Sequence, residues 1–327
     1  MKFKNKLLIY IFSLLLIIPI NALAYSDYIL VGGQTIGIEV NSSGVLVVGF
    51  YKINNDYIAK DAGFEVGDII LKINKNEVSD INSMVNLIEN SNTNEAVFLI
   101  ERQSKTKEIK LKLEKDQAGL LKTGLYVKDK INGIGTLTYI DPETKTFGAL
   151  GHEIIENSTA SKFEIKDGKI YNATVTEIIK SRNGRAGEKN AIYNQETIYG
   201  KINDNEIAGI FGEYTSNLDG FSKLKVGTKD DITTGNAIIR TVVSENNIEE
   251  FKINIIKLDD NSKTKNILFE ITDQKLLEKT GGIVQGMSGS PIIQNDKIIG
   301  AVNYVIVNDT TKGYGIFITT MLEEGED

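Results

Sequence analysis

The chain has no cysteine, no tryptophan, one histidine and only 3 prolines in 327 residues. Without cysteine there are no disulfides, so the fold must stand on its apolar core. A structural zinc site has essentially no soft ligands to use, and no metal or other cofactor is expected. A basic excess is missing too. The net charge of -7 argues against nucleic acid as a partner, because phosphate binding needs a basic surface. What remains is an ordinary globular composition, 41% hydrophobic and 25% charged, in a chain long enough for two domains behind a leader.

The leader is residues 1–24. Lys2, Lys4 and Lys6 precede an apolar run from Leu7 to Ile20, and Ala22-Leu23-Ala24 supplies small residues before Tyr25. This is the layout of a signal peptide with its cleavage site. The run falls short of the roughly 20 residues of a spanning helix, and counting on to Ala24 leaves a signal anchor open. Either way, the lysines stay inside and the rest of the chain is expected outside the cytoplasm.

From residue 27 to 115 the pattern is compact and mixed. Val31-Gly-Gly-Gln-Thr-Ile-Gly-Ile-Glu-Val40 is a glycine loop leading into an alternating strand. Ala59 to Phe64 reads as a helical turn, and Gly67-Asp-Ile-Ile-Leu-Lys-Ile-Asn74 as a turn into a buried strand. Asp80 caps a helix over Ile81 to Glu89, and Ala96–Glu101 and Glu108–Leu113 close the unit as strands. This order resembles a PDZ domain. The resemblance implies a peptide groove between the Ile36–Val40 strand and the Ile81–Glu89 helix. A terminal carboxylate would sit on the amides of Ile36, Gly37 and Ile38.

After a linker at 116–124, residues 125–327 change texture. Short β-branched runs alternate with Gly, Asn and Asp turns, as in Gly135–Tyr139, Ala173–Ile179, Ala237–Val243, Phe251–Ile256 and Asn266–Ile271. Asp273 to Lys279 is the clearest short helix. Many short strands with turn signals point to a β barrel or sandwich.

Two segments of this region carry chemistry. His152, the only histidine, ends Phe147-Gly-Ala-Leu-Gly-His152, and Gly286-Met-Ser-Gly-Ser-Pro291 is a tight turn that would present Ser288. A serine hydroxyl needs a positioned base near neutral pH, most often imidazole, and here there is one candidate. The turn shares its Gly-x-Ser-Gly-x-Pro layout with chymotrypsin-like proteases. The backbone of Gly286, Met287 and Ser288 would then form an oxyanion hole through the amides of 286 and 288.

The run Ile271 to Gln294, then Gly300-Ala-Val and Val307 to Gly315, resembles the sporulation stage IV protein B peptidases, PDZ-containing serine proteases of endospore-forming bacteria. Phe147–His152, Gly209-Ile-Phe-Gly212 and Gly32–Gly37 match as well. The resemblance implies a mainly β chain, with a PDZ domain followed by a chymotrypsin-like double β-barrel. It implies an exported peptidase acting between mother cell and forespore, which cleaves itself and a membrane-associated regulator. It implies His152 as general base, Ser288 as nucleophile and Asp273 as the acidic partner. Family members often have histidine where this chain has Tyr304 and proline where it has Thr310. Asp273 can equally cap a helix, and Asp167, Glu213 and Asp219 are other acids that could orient the imidazole. Two further readings stay open: an inactive scaffold on the protease fold, and a general extracytoplasmic quality-control protease.

Overall fold

The computed structural model describes residues 25–91 and 93–326; the leader lies outside the described residues. Apart from two short two-stranded sheets, its strands form one continuous hydrogen-bonded network, but their side chains fall into separate cores. The first is a closed ring of six strand segments. In ring order they lie in Thr35–Phe50, Leu125–Ile140, Thr146–Ala149, Gly209–Tyr214, Gly187–Glu206 and Ile165–Ile179, and the last pairs back with the first. Ile36, Ile38, Leu137, Phe147, Ile170 and Ile210 fill it. A second six-strand ring runs Gly235–Val242, Ile248–Leu258, Ile267–Ile271, Lys312–Phe317, Lys297–Val305, Pro291–Gln294 and back. Ile239, Phe251, Phe269, Ile292 and Ile299 fill this one. Alternation of apolar and polar residues lets each strand turn one face inward, and closure leaves no raw sheet edge. This is the double barrel of a chymotrypsin-like fold.

A smaller core joins the barrels. Tyr28–Val31 pairs with Ser222–Val226, which runs parallel to the start of Lys297–Val305. Tyr139, Phe211, Ile298 and Ile316 pack there with Ile318 and Met321 of the final helix, Ile318–Gly325.

The PDZ module has its own core of Val45, Val47, Phe64, Ile70, Met84, Phe98 and Ile109. The Ile81–Glu89 helix falls where its cap signal places it. Asp80 Oδ1 accepts from Ser83 N (2.7 Å), the Ser83 hydroxyl closes a capping box, and Met84 and Ile88 point inward. Such a cap contributes about 1 kcal/mol.

The boundary of this module differs from the sequence expectation. It is inserted into the first barrel rather than placed ahead of it. The Thr35–Phe50 strand begins in the barrel and continues into the module, where Val45 and Leu46 pair with Ile70 and Ile69. The Leu125–Ile140 strand returns beside it, with Phe50 opposite Leu125 and Asn41 opposite Lys130. Glycine-rich alternation looks the same in either sheet, so the pattern alone assigned residues 35–41 to the wrong neighbour. The segment read as a linker is folded as well, with Glu114–Lys115 paired to Leu121–Lys122.

The groove residues change meaning with that boundary. Ile36, Gly37 and Ile38 pair with Gly135, Ile134 and Gly133 on one edge and with Asn172, Tyr171 and Ile170 on the other. Both edges are used, so no peptide strand can add there. Gly37 lacks a side chain for another reason. A Cβ would lie 2.3 Å from Tyr193 Cγ, in a ring that stacks on Tyr171.

Candidate active site

The turn at Ser288 is built from glycine at two positions that require it. Gly286 and Gly289 have φ of +91° and +89°, where a side chain is strained. A Cβ on Gly289 would also meet Thr136 O at 2.2 Å and Leu150 N at 2.5 Å. The turn belongs to the second barrel and is stapled to the first. Thr136 N donates to Ser288 O (3.0 Å), Thr136 Oγ1 to Gly286 O (2.8 Å) and Thr138 Oγ1 to Gly289 O (2.8 Å).

Inside the turn, Met287 N donates to Val284 O, Ser290 N to Met287 O and Gly289 N to Val302 O. Met287 therefore supplies no amide to an oxyanion. None of these bonds uses the N–H of Gly286 or Ser288, the pair expected to receive one.

His152 comes from the first barrel. It follows Leu150 and Gly151, both at positive φ (+70° and +71°). For leucine that conformation costs about 1–2 kcal/mol, and such strain clusters where a side chain must be aimed. The imidazole Nδ1 lies 2.9 Å from Glu153 O. A carbonyl only accepts, so in the neutral ring Nδ1 carries the hydrogen and Nε2 keeps its lone pair. Burial pushes the imidazole below its usual pKa of 6.5, and the Glu153 carbonyl and charge oppose this only in part.

Ser288 and His152 contact adjacent residues of one strand of the second barrel. Ser288 Oγ donates to Asn303 O (3.2 Å), and the His152 ring stacks on Tyr304 at 5.5 Å and 22°. The hydroxyl is thus turned to a carbonyl rather than to the imidazole. Val302 pairs with Gly315 and Tyr304 with Tyr314, which leaves Asn303 on a bulge between them. Bulges of this kind re-aim groups beside active sites. Asn303 Nδ2 donates to Thr264 O (3.0 Å), while its buried Oδ1 has no partner among the described residues.

Asp273 is not brought to the imidazole by any described hydrogen bond. Its Oδ1 accepts from Leu276 N (3.1 Å) as the cap of the Gln274–Thr280 helix, and its Oδ2 from Lys252 N (3.3 Å). Two of the other acids have local partners as well: Asn41 for Asp167 and Asn217 for Asp219. The Glu153 carbonyl, Thr136 and Asn303 were not legible as site residues, because each acts through backbone geometry or a bulge that periodicity does not encode. Among the described residues no group of three or more His, Cys, Asp or Glu could hold a metal ion.

The sequence model of the SpoIVB peptidase S55 family matches residues 119–322. The chain belongs to this family. That makes it a serine endopeptidase, and a PDZ domain matches residues 34–113. The PDZ match begins at residue 34, just ahead of the strand whose first residues pair within the barrel, and it stops at 113, before the strand at residue 125 that completes the module.

Among solved structures, the active form of the Rv3671c protease from M. tuberculosis is similar at 14% identity. It covers 60% of this chain and 73% of that one, with a TM-score of 0.34. The inactive form is similar at 13% identity, covering 59% and 82%, with a TM-score of 0.31. The PDZ domain of the SdrC-like protein from Listeria monocytogenes shares 20% identity over 27% of this peptidase and 90% of that chain, with a TM-score of 0.24. No curated protein compared with this peptidase matches it.

Proposed function

We propose that this peptidase is exported, processes itself, and cleaves a membrane-associated regulator in signalling between mother cell and forespore. Ser288 is the nucleophile and His152 the base. The observation that carries this reading is that the sole histidine and the Gly286–Pro291 turn both rest against neighbouring residues of one strand, Tyr304 and Asn303, within the matched family region. Glu153 O holds the tautomer that leaves Nε2 free to take the serine proton. An inactive scaffold would have no use for that arrangement. The test is complementation in an endospore former that lacks its own SpoIVB-type gene. The wild-type chain should restore spore formation and yield a trimmed form, and Ser288→Ala should do neither. Growth-phase phenotypes with normal sporulation would favour a general quality-control role instead.

The PDZ module takes its peptide along the Leu125–Lys130 segment. One edge of that segment pairs with Leu46–Phe50, and among the described residues no strand pairs with the other. The Ile81–Glu89 helix lies beside it, and Ile81 N donates to Asp129 Oδ2 (2.9 Å). An added strand there would gain main-chain hydrogen bonds. Peptide binding should slow amide hydrogen exchange at residues 125–130 and leave residues 36–38 unchanged. Protection at 36–38 alone would refute the assignment.

A further inference from the structure

Lys189 is the only lysine among the described residues that is buried, at 1% exposure. It lies near the start of the Gly187–Glu206 strand, whose first residues run parallel to Val284–Gln285, the lead into Gly286. A Cβ placed on Gly286 would sit 3.1 to 3.3 Å from Lys189 Cβ, Cγ and Cδ. The lysine stem therefore lies along the turn, and its amine is two bonds past the last of these carbons. The stem also lines a cleft of about 630 Å³ with Asn132, Ile134, Tyr193, Gln285 and Gly286.

The amine has one described partner. Its Nζ donates to Thr241 Oγ1 (2.8 Å), and no ion pair is formed. Charged groups on the elements around it are turned elsewhere. Glu177 accepts from Asn190 Nδ2 (3.1 Å), Glu249 opposite Thr241 pairs with Lys275 and Lys279, Arg240 lies 3.8 Å from Glu250, and Glu188 is exposed. A desolvated amine without a counter-charge is costly to keep, and a fold gains nothing in stability by retaining one. Burial alone pushes this amine down to about 7.

We infer that Lys189 is a positioning residue for the oxyanion turn: its stem fixes Gly286, and its ammonium places positive potential behind the amides of Gly286 and Ser288. The inference rests on reading Ser288 as the nucleophile. When Ser288 Oγ attacks the substrate carbonyl, its proton passes to His152 Nε2 and the carbonyl electron pair moves onto oxygen. Collapse of that oxyanion expels the amine, which takes the proton from His152. Lys189 keeps its own proton throughout. In a poorly screened interior its charge favours the step in which oxygen is negative.

Peptide hydrolysis by the full chain tests this with Lys189→Met, which keeps an unbranched apolar stem. We expect kcat to fall roughly 10–100-fold with little change in KM. The melting temperature should rise. Wild-type kcat/KM should decline above about pH 7 as the amine deprotonates. That limb should vanish in the variant. Unchanged kcat and pH profile in a more stable Lys189→Met would overturn the inference. Thr241→Val gives a second reading, because it keeps the lysine and removes its partner. It should move the same limb to lower pH, and an unmoved limb counts against the proposal even if Lys189→Met fails to fold. Ser288→Ala is run in parallel. Retained activity there would remove the turn reading itself, whereas an inactive Ser288→Ala beside an unaffected Lys189→Met would reject the lysine alone.

Discussion

Ser288→Ala should lower kcat for peptide hydrolysis by about four to six powers of ten, leaving a residue of catalysis from the oxyanion hole and substrate binding. The fold should not notice. The hydroxyl makes one described hydrogen bond, to Asn303 O, and such a bond is worth about 1 kcal/mol net. Ser290 is the internal control. It shares the turn but is fully buried, and its hydroxyl lies 3.5 Å from Thr136 Oγ1, at the limit of a hydrogen bond. Ser290→Ala should stay within a few-fold of wild type. Equal losses at both serines, measured beside melting curves, would mean that the turn is structural and the nucleophile lies elsewhere.

His152→Ala should cost a similar number of powers of ten and should erase the acid limb of the pH profile. Only neutral imidazole can accept the serine proton, so activity rises as His152 deprotonates. Burial lowers its pKa, which puts that limb below the ordinary 6.5. The same shift has a sign for stability. The folded state binds the proton less readily than the unfolded chain. As pH falls through 6.5 the unfolded chain takes up the proton first, and stability declines until the folded pKa is passed. His152→Ala should remove this contribution. A limb that persists in the variant would assign it to another base.

Much of the architecture was legible because its signals are local. Asp80 caps the Ile81–Glu89 helix through its own side chain. The adjacent turn formers Asn295 and Asp296 both take positive φ and join Pro291–Gln294 to Lys297–Val305 as a hairpin. The Gly286–Pro291 turn was visible because positive φ at two positions leaves glycine in the sequence. Partner choice was not visible. Gly37 looks like a loop glycine in a carboxylate site, yet it is dictated by Tyr193, more than 150 residues away. Lys189 lies in a polar run, Glu188-Lys189-Asn190, which reads as a solvated strand edge. It is buried because it pairs with Ile178 while its stem runs along Gly286 to Thr241, contacts made far from it in sequence. Asp273 shows the converse. Its helix-capping use was readable from Thr272-Asp273 before Gln-Lys-Leu-Leu, and that is where its carboxylate oxygens are engaged.

The chain passes between the first barrel and the PDZ module on one strand pair, out through Asn41 and back through Lys130, which face each other across the ladder. Facing residues in such a ladder are only about 5 Å apart. The module is therefore mounted like a cassette at the tip of a hairpin, and the barrel needs no rearrangement to carry it. The module also rests on the barrel beside this junction, with Leu46 and Ile69 packed into the first-barrel core and Lys128 paired with Glu156. The arm that leads inward from the junction ends at Thr136, whose amide and hydroxyl hold Ser288 O and Gly286 O. Only the paired backbone from Lys130 to Thr136 separates the module from the Gly286–Pro291 turn, so the two are joined by a short, hydrogen-bonded arm.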